Sequence, residues 1–214
     1  MTTHSPFVIC IGRSLGSGGR LVGSELAKRF NIRFMDKEVL KLAACQSGID
    51  QRFFETADER KGFFGVLGDF ISPVSAGLSS LAGGGGEQLS REHLFQLQSD
   101  AMRDMASRES CVVVGRCADY VLREHPRMVS VFITADQQDR IRRISTLMSV
   151  DETEARRRMR AGDQQRAEFY NYYNGTHRWG EAATYDLCVN SSILGIPRTT
   201  DLIEQFVRAK LAHL

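Results

Sequence analysis

Five short apolar runs limit what this chain can fold into. Most of them are continuously apolar, which is typical of strands covered on both faces of a parallel sheet. Segments of helical periodicity lie between them, and we predict helices over 19–30, 137–148 and 200–213, the last capped by Thr199 or Thr200. Strands that alternate with helices predict an α/β fold, a three-layer α/β/α domain around a five-stranded parallel sheet. The five runs are FVICI (7–11), IRFM (32–35), CVVVG (111–115), SVFIT (130–134) and DLCVN (186–190).

Length, charge and cysteine usage narrow the class of protein. A chain of 214 residues suits one domain, 1–214, with room for insertions. A net charge of +2 argues against a general nucleic-acid binder, and no apolar run approaches the roughly 20 residues that span a bilayer. The start, MTTHSPF, is unlike a signal peptide, and the five cysteines include no CxxC pair. We therefore expect a reduced, cytoplasmic protein in which Cys10, Cys111 and Cys188 are buried as small apolar residues.

Two long segments interrupt the alternation of strands and helices. The first, from about 36 to 110, contains SPVSAGLSSLAGGGGEQLS, and four consecutive glycines are costly to hold in regular structure. This glycine-rich middle is either a mobile connection between helices, such as a flap over a cleft, or a plain disordered surface loop. The second follows residue 149 and is first arginine-rich, then aromatic. Its start carries a helix-capping signature, Ser149 with Glu152 or Asp151 with Glu154.

A glycine-rich turn follows the first predicted strand, in the stretch ICIGRSLGSGGRLVG (9–23). Such a turn lets backbone amides point at an anion, and the next helix adds its positive N-terminal dipole. Gly16, Gly18 and Gly19 supply the permissive backbone. The strict phosphate-loop pattern GxxxxGK[ST] is not met, because Gly19 stands at the lysine and Arg20 at the hydroxyl residue. The alternative is a strand-to-helix turn that needs glycine only for steric reasons.

Nearby side chains could replace what the loop lacks. Arg13 and Arg20 flank the glycines, and either guanidinium could supply the missing positive charge. Ser14 or Ser17 could offer a hydroxyl to a magnesium ion, and we favour Ser17. For Arg20 the alternative is a solvated residue in the first helical turn.

Further candidates follow the second and third strands, whose carboxyl ends should face the same crevice as the glycine loop. Asp36 ends the second strand, where a helix cap is the alternative. Gly115, Arg116 and Asp119 follow the third strand, and we favour a ligand role for Arg116.

The arginine-rich segment holds another set of candidates. On a helix, Arg156, Arg160 and Asp163 fall near one face. Arginines that converge on a phosphate could stabilise the charge of a group in transfer, and we favour Arg160 and Arg166 for this role. The alternative is an ordinary solvated, salt-bridged helix.

Taken in order, these stretches resemble the cytidylate kinase-like family, a branch of the P-loop nucleoside monophosphate kinases. The likeness runs from about residue 7 to 195, and its most telling stretches are GSGGR, GRCADY, RAEFYNYYNGTHRWG and YDLCVNSS. It implies a P-loop kinase-like fold with a helical monophosphate-binding insertion over 50–105 and a mobile lid over 149–180. It also implies ATP and Mg²⁺ as cofactors and a small-molecule acceptor.

The resemblance assigns roles residue by residue. GRSLGSGGR, with Ser14, Gly16, Ser17, Gly18, Gly19 and Arg20, would cradle the phosphates of ATP. Asp36 would lie near the acceptor phosphate or the attacking oxygen, and Arg116, with Asp119 nearby, would hold the nucleoside monophosphate. Arg160 and Arg166 would close on the transferring phosphate, joining Arg13 and Arg20 in the catalytic set.

The chain also departs from cytidylate kinases at informative positions. They carry the loop lysine where this chain has Gly19, and an aspartate that helps recognise cytosine where this chain has Cys117. The expected activity is ATP-dependent phosphoryl transfer to a nucleoside monophosphate. The alternatives are a nucleotide-binding protein without catalysis and a kinase of another small molecule. The acceptor and the oligomeric state, including a homo-oligomer, stay open.

Overall fold

The computed structural model describes residues 5–36 and 91–213, and all five predicted strands lie within them. Each strand begins and ends within two residues of its predicted bounds. All neighbouring strands are parallel, in the order β2-β3-β1-β4-β5, which confirms the predicted α/β fold. Their carboxyl ends therefore meet along one edge of the sheet. The strands are β1 (Val8–Arg13), β2 (Arg33–Met35), β3 (Cys111–Val114), β4 (Met128–Thr134) and β5 (Leu187–Asn190).

Helices cover both faces of this sheet. Two of them, α1 and α4, have the bounds that the sequence predicts. A short 3₁₀ turn over Ala182–Thr184 precedes β5. The helices are α1 (Gly19–Phe30), α2 (Arg91–Arg108), α3 (Ala118–Val121), α4 (Gln137–Met148), α5 (Glu152–Tyr173) and α6 (Ser191–Ala212).

The continuous apolar runs fill two cores, one on each face of the sheet. Ile9 and Ile11 pack with Val22 and Leu26 of α1 and with residues of α6. Their neighbours in β1, including Cys10, face the opposite way and pack with residues of α2 and α3. Successive side chains of a strand point to opposite faces, so a central strand with helices on both sides must be apolar at nearly every position.

The edge strand β5 corrects one expectation. Cys10 and Cys111 are buried as predicted, but Cys188 is exposed. Because β5 is the last strand of the sheet among the described residues, one of its sides has no neighbouring strand there, and its residues are only partly covered.

The start of α6 corrects another. The prediction of Thr199 or Thr200 as the N-cap is wrong, because both residues lie within the helix and their side chains are fully buried. The helix begins at Ser191, where the side chain of Asn190 accepts a hydrogen bond from the Ser192 amide at 2.9 Å. The helix is kinked at Gly195, which has a φ of 71°. Because Gly195 and Pro197 are both unfavourable inside a helix, the sequence does not indicate that the helix begins before them.

The capping signature before α5 is confirmed in its second form. The side chain of Asp151 accepts from the amide of Glu154 at 2.8 Å, whereas Ser149 ends α4 with left-handed backbone angles. Helices α4 and α5 pack against each other through Ile141, Ile144 and partners that include Leu15 of the glycine loop.

The long insertion is described only at its carboxyl end. That end forms α2, while most of the helical insertion predicted over 50–105, and the predicted flap with it, lies outside the described residues. In the described part of the chain, no helix combines the length and the apolar character needed to cross a membrane.

Candidate phosphate-transfer site

The glycine loop lies at the carboxyl edge of the sheet, between β1 and α1, as predicted. Gly16 and Gly18 both have a φ of 80°, a conformation that side chains other than glycine rarely adopt. Gly18 caps α1 without any side-chain hydrogen bond. The loop is thus followed at once by the first turn of a 12-residue helix, and the positive end of the helix dipole lies at the sheet edge.

Side chains from distant elements hold the carbonyls of this loop. Arg140 Nε donates to the Leu15 carbonyl at 2.7 Å, and Arg143 Nη1 donates to the Gly16 carbonyl at 3.1 Å. Ser191 Oγ donates to the Ser17 carbonyl at 2.7 Å. In a planar trans peptide the N–H points away from the C=O, so carbonyls turned toward α4 and α6 direct the following amides to the other side.

Of the three amides so directed, those of Gly16 and Gly18 are available to a ligand, whereas that of Ser17 is not. The Ser17 amide closes a turn onto the Ser14 carbonyl at 3.3 Å. Within residues 5–36 and 91–213, no group accepts a hydrogen bond from the amides of Gly16, Gly18 or Gly19. Amides arranged like this beside a helix N-terminus form a concavity suited to an anion.

Arg13 occupies the space that the missing lysine side chain leaves. A Cβ placed on Gly19 would lie 2.6 Å from Arg13 Cβ and 3.0 Å from its Cγ, so the arginine stem lies against this glycine. Farther out, a Cβ on Gly115 would lie 2.0 Å from Arg13 Nη1. The guanidinium therefore lies at the carboxyl end of β3, over a glycine that makes room for it.

The surroundings of Arg13 disfavour its charge. Burial lowers its pKa to about 9, and the positive charges of Arg166 and Arg116 add to this effect. Among the described residues, no hydrogen bond or ion pair to its guanidinium is found. A cation whose pKa is lowered, and which lies near two other cations, is stabilised when an anion binds beside it.

Arg166 and Asp163 bring α5 to the same place. Burial lowers the pKa of Arg166, although the nearby Asp163 carboxylate opposes this. Arg166 Nη1 lies 3.6 Å from Asp163 Oδ1 and, within the described chain, makes no hydrogen bond. The charges of Arg166 and Arg116 both act on Arg13, so these three predicted residues lie near one another.

Arg20 and Asp36 are paired with each other. The Arg20 guanidinium donates to Asp36 Oδ2 from Nη2 at 2.7 Å and from Nε at 3.2 Å. It lies 5.9 Å from the ring of Phe34, and the arginine side chain is 68% exposed. Arg20 therefore points along the sheet edge toward β2, whereas Arg13 is the arginine that lies against Gly19.

The turn after β3 is unusual in its backbone. Gly115, Arg116 and Cys117 have successive φ values of 77°, 61° and 54°. Two non-glycine residues in succession with left-handed angles carry strain, and such strain concentrates at functional sites. Cys117 is 4% exposed, and burial raises the pKa of its thiol, so this position presents neither a carboxylate nor a thiolate.

Asp119 has a partner from α5. The hydroxyl of Tyr170 donates to Asp119 Oδ2 at 2.5 Å, and Asn174 Nδ2 donates to the Tyr170 oxygen at 3.0 Å. Burial raises the pKa of Asp119, and the Tyr170 hydrogen bond partly offsets this. Asp119 therefore anchors the carboxyl end of α5 to α3, a contact that the sequence did not indicate.

The remaining candidates differ in their surroundings. Arg160 is exposed on α5, and the described chain offers it no hydrogen bond or ion pair. Ser14 Oγ donates to Thr134 Oγ1 at 3.4 Å, while Ser17 is fully buried and its hydroxyl has no partner in the described chain. In that same part of the chain, no group of three or more His, Cys, Asp or Glu side chains could hold a metal ion.

Sequence reasoning missed three residues that shape the loop, namely Arg140, Arg143 and Ser191. Arg140 and Arg143 lie in RIRRI (140–144), for which the sequence predicts a helix and no contact with the loop. Their spacing of three places both on one helical face, which could have indicated a shared target. Their partners lie 125 and 127 residues away, so no local pattern identifies those partners.

Comparison with known proteins agrees with this geometry. The chain is similar in structure to an uncharacterized protein from Eubacterium ventriosum, with 27% identity, a TM-score of 0.70, and coverage of 94% of this chain and 98% of that one. It shares its fold with a shikimate kinase from Bacteroides thetaiotaomicron, with 14% identity, a TM-score of 0.53, and coverage of 94% and 98%. A search of curated proteins finds no match.

A family model decides the classification. The model of the cytidylate kinase-like family matches residues 8–193, which include all five strands, the glycine loop and α5. The predicted resemblance is thereby confirmed, and the fold is that of the P-loop kinases. This chain belongs to the cytidylate kinase-like family.

Proposed function

We propose that this protein is an ATP-dependent phosphotransferase that acts on a small acceptor, a nucleoside monophosphate or a molecule of similar size. The observation that carries the proposal is the position of Arg13. Its stem fills the space beside Gly19, and its guanidinium lies at the carboxyl end of β3, where the charges of Arg116 and Arg166 act on it. A guanidinium there would supply the positive charge that a loop lysine ordinarily gives to the phosphates.

The loop supports a nucleotide phosphate as the ligand. Its carbonyls are bonded by Arg140, Arg143 and Ser191, and the amides of Gly16, Gly18 and Gly19 are left for an anion. Phosphoryl transfer requires mainly positioning and neutralisation of charge, which amides and guanidinium groups provide. The residues present therefore fit ATP.

Magnesium would be held largely by the phosphates themselves, since Mg²⁺ binds few protein ligands and keeps several waters. Its chemistry is to neutralise charge on the phosphate oxygens. Ser17 is the protein hydroxyl we assign to it. That hydroxyl is fully buried and unpartnered within the described residues, so it has an unmet hydrogen-bonding capacity.

The acceptor would lie between Arg116, Arg166 and the Asp36 carboxylate. Cytidine is not favoured, because Cys117 offers no carboxylate at the position that resembles the cytosine-reading aspartate. Asp36 would act on the attacking oxygen once its ion pair with Arg20 has opened or shifted. Arg160, exposed on α5, would contribute only if the helix moves.

One observation favours a second candidate, a nucleotide-binding protein without catalysis. Asp36, the predicted acceptor-side carboxylate, is bound by Arg20 through two hydrogen bonds, which would suit a protein that only holds its nucleotide.

The deciding experiment follows phosphate transfer by ³¹P NMR. The protein is incubated with ATP, Mg²⁺ and, one at a time, nucleoside monophosphates and small hydroxyl compounds. The proposal predicts loss of the ATP γ-phosphate signal and a new product signal with at least one acceptor. ATP binding without transfer across the whole panel would support the second candidate, and absence of ATP binding would reject both.

A further inference from the structure

Asp163 is the one carboxylate among the described residues that contacts both the glycine loop and two arginines of the site. Its Oδ1 accepts a hydrogen bond from the Leu15 amide at 2.7 Å, and its Oδ2 accepts one from Arg140 Nη2. Arg166 Nη1 lies 3.6 Å from Oδ1. Neither the resemblance nor the loop pattern gives this residue a role.

The surroundings distinguish this ion pair from a solvated one. The side chains of Asp163 and Arg140 are only 20% and 12% exposed. Exposed ion pairs on helices contribute little to structure, whereas a sheltered carboxylate that bonds a backbone amide has a fixed position. Arg140 also donates to the Leu15 carbonyl at 2.7 Å, so the pair holds both polar backbone groups of Leu15.

Packing reinforces this attachment. A Cβ placed on Gly162 would lie 2.8 Å from Leu15 Cδ2, so the absence of a side chain at 162 lets Leu15 lie close against α5. Leu15 also joins the apolar cluster between α4 and α5. The loop, α4 and α5 therefore form one packed unit.

We propose that Asp163 is a positioning residue that fixes the glycine loop to α5 and directs Arg166 to the transferring phosphate. The part that concerns Arg166 rests on the proposed function. Arg166 lies three residues after Asp163 on the same helix, so one carboxylate orients both the loop amide before Gly16 and the arginine. A shift of α5 would change the loop and Arg166 together.

Two substitutions separate the hydrogen bond of Asp163 to the Leu15 amide from its charge beside Arg140 and Arg166. Asp163→Ala removes the acceptor for the Leu15 amide and the charge beside Arg140 and Arg166. Asp163→Asn keeps an oxygen that can accept from Leu15 but removes the charge. Glu168→Gln is the matched control, because Glu168 is an exposed carboxylate of the same helix whose described partner is Gln164.

The first measurement is hydrogen exchange of the Leu15 amide in ligand-free protein by NMR. We expect exchange at least tenfold faster in Asp163→Ala and little changed in Asp163→Asn and Glu168→Gln. Wild-type exchange at Leu15 in Asp163→Ala would overturn the proposal. This readout needs no nucleotide, so it decides the attachment of the loop even if the wild-type protein transfers no phosphate.

The second measurement separates KM from kcat with the acceptor that the NMR panel identifies. Both Asp163 variants should lose at least tenfold in kcat, and only Asp163→Ala should also show a raised KM for ATP. Unchanged kcat in both variants would contradict the role assigned to Arg166. If Asp163→Ala does not fold, Asp163→Asn decides through kcat, with folding checked by circular dichroism.

Discussion

At the residue scale, Arg13 and Gly19 together occupy the place of the lysine that the loop motif lacks. The loop motif has lost its lysine, yet the loss makes room for an arginine stem that approaches within 2.6 Å of where a Cβ at 19 would stand. The sequence allowed either Arg13 or Arg20 to supply the charge. The structure favours Arg13, because Arg20 is bound to Asp36 and largely exposed. That choice depends on side-chain direction, which sequence spacing does not fix.

Arg13→Ala should weaken ATP binding by at least tenfold, roughly 1.4 kcal/mol, because it removes a sheltered cation from the phosphate site. Arg20→Ala should cost less, since Arg20 points toward β2. Isothermal titration with ATP and Mg²⁺ measures both, and Arg33→Ala, which removes an exposed ion pair with Glu109, is the control. Wild-type affinity in Arg13→Ala would show that another group holds the phosphates.

Gly19→Ala should destabilise the fold by about 1–3 kcal/mol, because the new methyl group overlaps the Arg13 stem and the loop must shift. Urea unfolding measures the change. Gly175→Ala is the matched control, since a Cβ there meets nothing within 4 Å. Equal stability of the two variants would contradict the close packing of Arg13 against position 19.

At the scale of elements, α5 is the part whose role was least predictable. Its position and its cap at Asp151 follow from local patterns in the sequence. Its attachments do not, because Asp163 bonds Leu15 across 148 residues and Tyr170 bonds Asp119 across 51. Periodicity shows which face of a helix is apolar but not which distant groups its polar residues meet. The expected lid movement of 149–180 stays a prediction, and the contacts of α5 define what would have to break.

Tyr170→Phe should destabilise the protein by about 1–3 kcal/mol at pH 7, because the partly buried Asp119 carboxylate loses the Tyr170 hydroxyl as a hydrogen-bond donor. The pKa of Asp119 is raised by burial, so the native state binds this proton more tightly than the unfolded chain. Its contribution to the free energy of unfolding therefore falls as pH rises from about 3.9, the unfolded pKa, through the raised folded pKa. Removal of the Tyr170 hydrogen bond raises that pKa further.

The cost of Tyr170→Phe should accordingly be smaller at pH 4, where Asp119 is protonated to a greater extent, than at pH 7. Urea unfolding at both pH values tests this. Tyr172→Phe serves as the control, since that hydroxyl is on a ring 69% exposed and bonds Glu92. The same loss at both pH values would show that Asp119 does not depend on Tyr170 for its charge.

At the scale of the whole molecule, the sequence predicts the fold well, while the roles of the candidate site residues stay predictions. Five apolar runs predicted five parallel strands because burial on both faces constrains nearly every residue of such a strand. The shared edge of the sheet then brought the glycine loop, Asp36 and Arg116 to one end. What could not be predicted is how the loop carbonyls are held, since Arg140, Arg143 and Ser191 reach them from α4 and α6. The sequence does not predict the exposure of Cys188, because the residues of a strand do not show whether that strand lies at the centre or at the edge of the sheet.

A ligand that binds only the native state should raise the stability of the whole domain. At a concentration of ATP about 100 times Kd the gain is about 2.7 kcal/mol, which for a domain of this size corresponds to a Tm increase of roughly 5–10 °C. Differential scanning fluorimetry with ATP and Mg²⁺ measures this, and adenosine, which lacks phosphates, should have little effect. An equal increase in Tm with adenosine would show that the nucleoside, and not the phosphates, supplies the binding energy.

The central claim is that the amides of the glycine loop, with Arg13, hold the phosphates of a nucleotide. The most direct measurement is an ATP–Mg²⁺ titration of ¹⁵N-labelled protein, followed at the amides of Gly16, Gly18 and Gly19 and at the Arg13 side chain. The account predicts that these signals shift together and saturate, and that the shifts are lost or greatly reduced at the loop in Arg13→Ala. Loop amides that stay unchanged while ATP saturates signals elsewhere would contradict it.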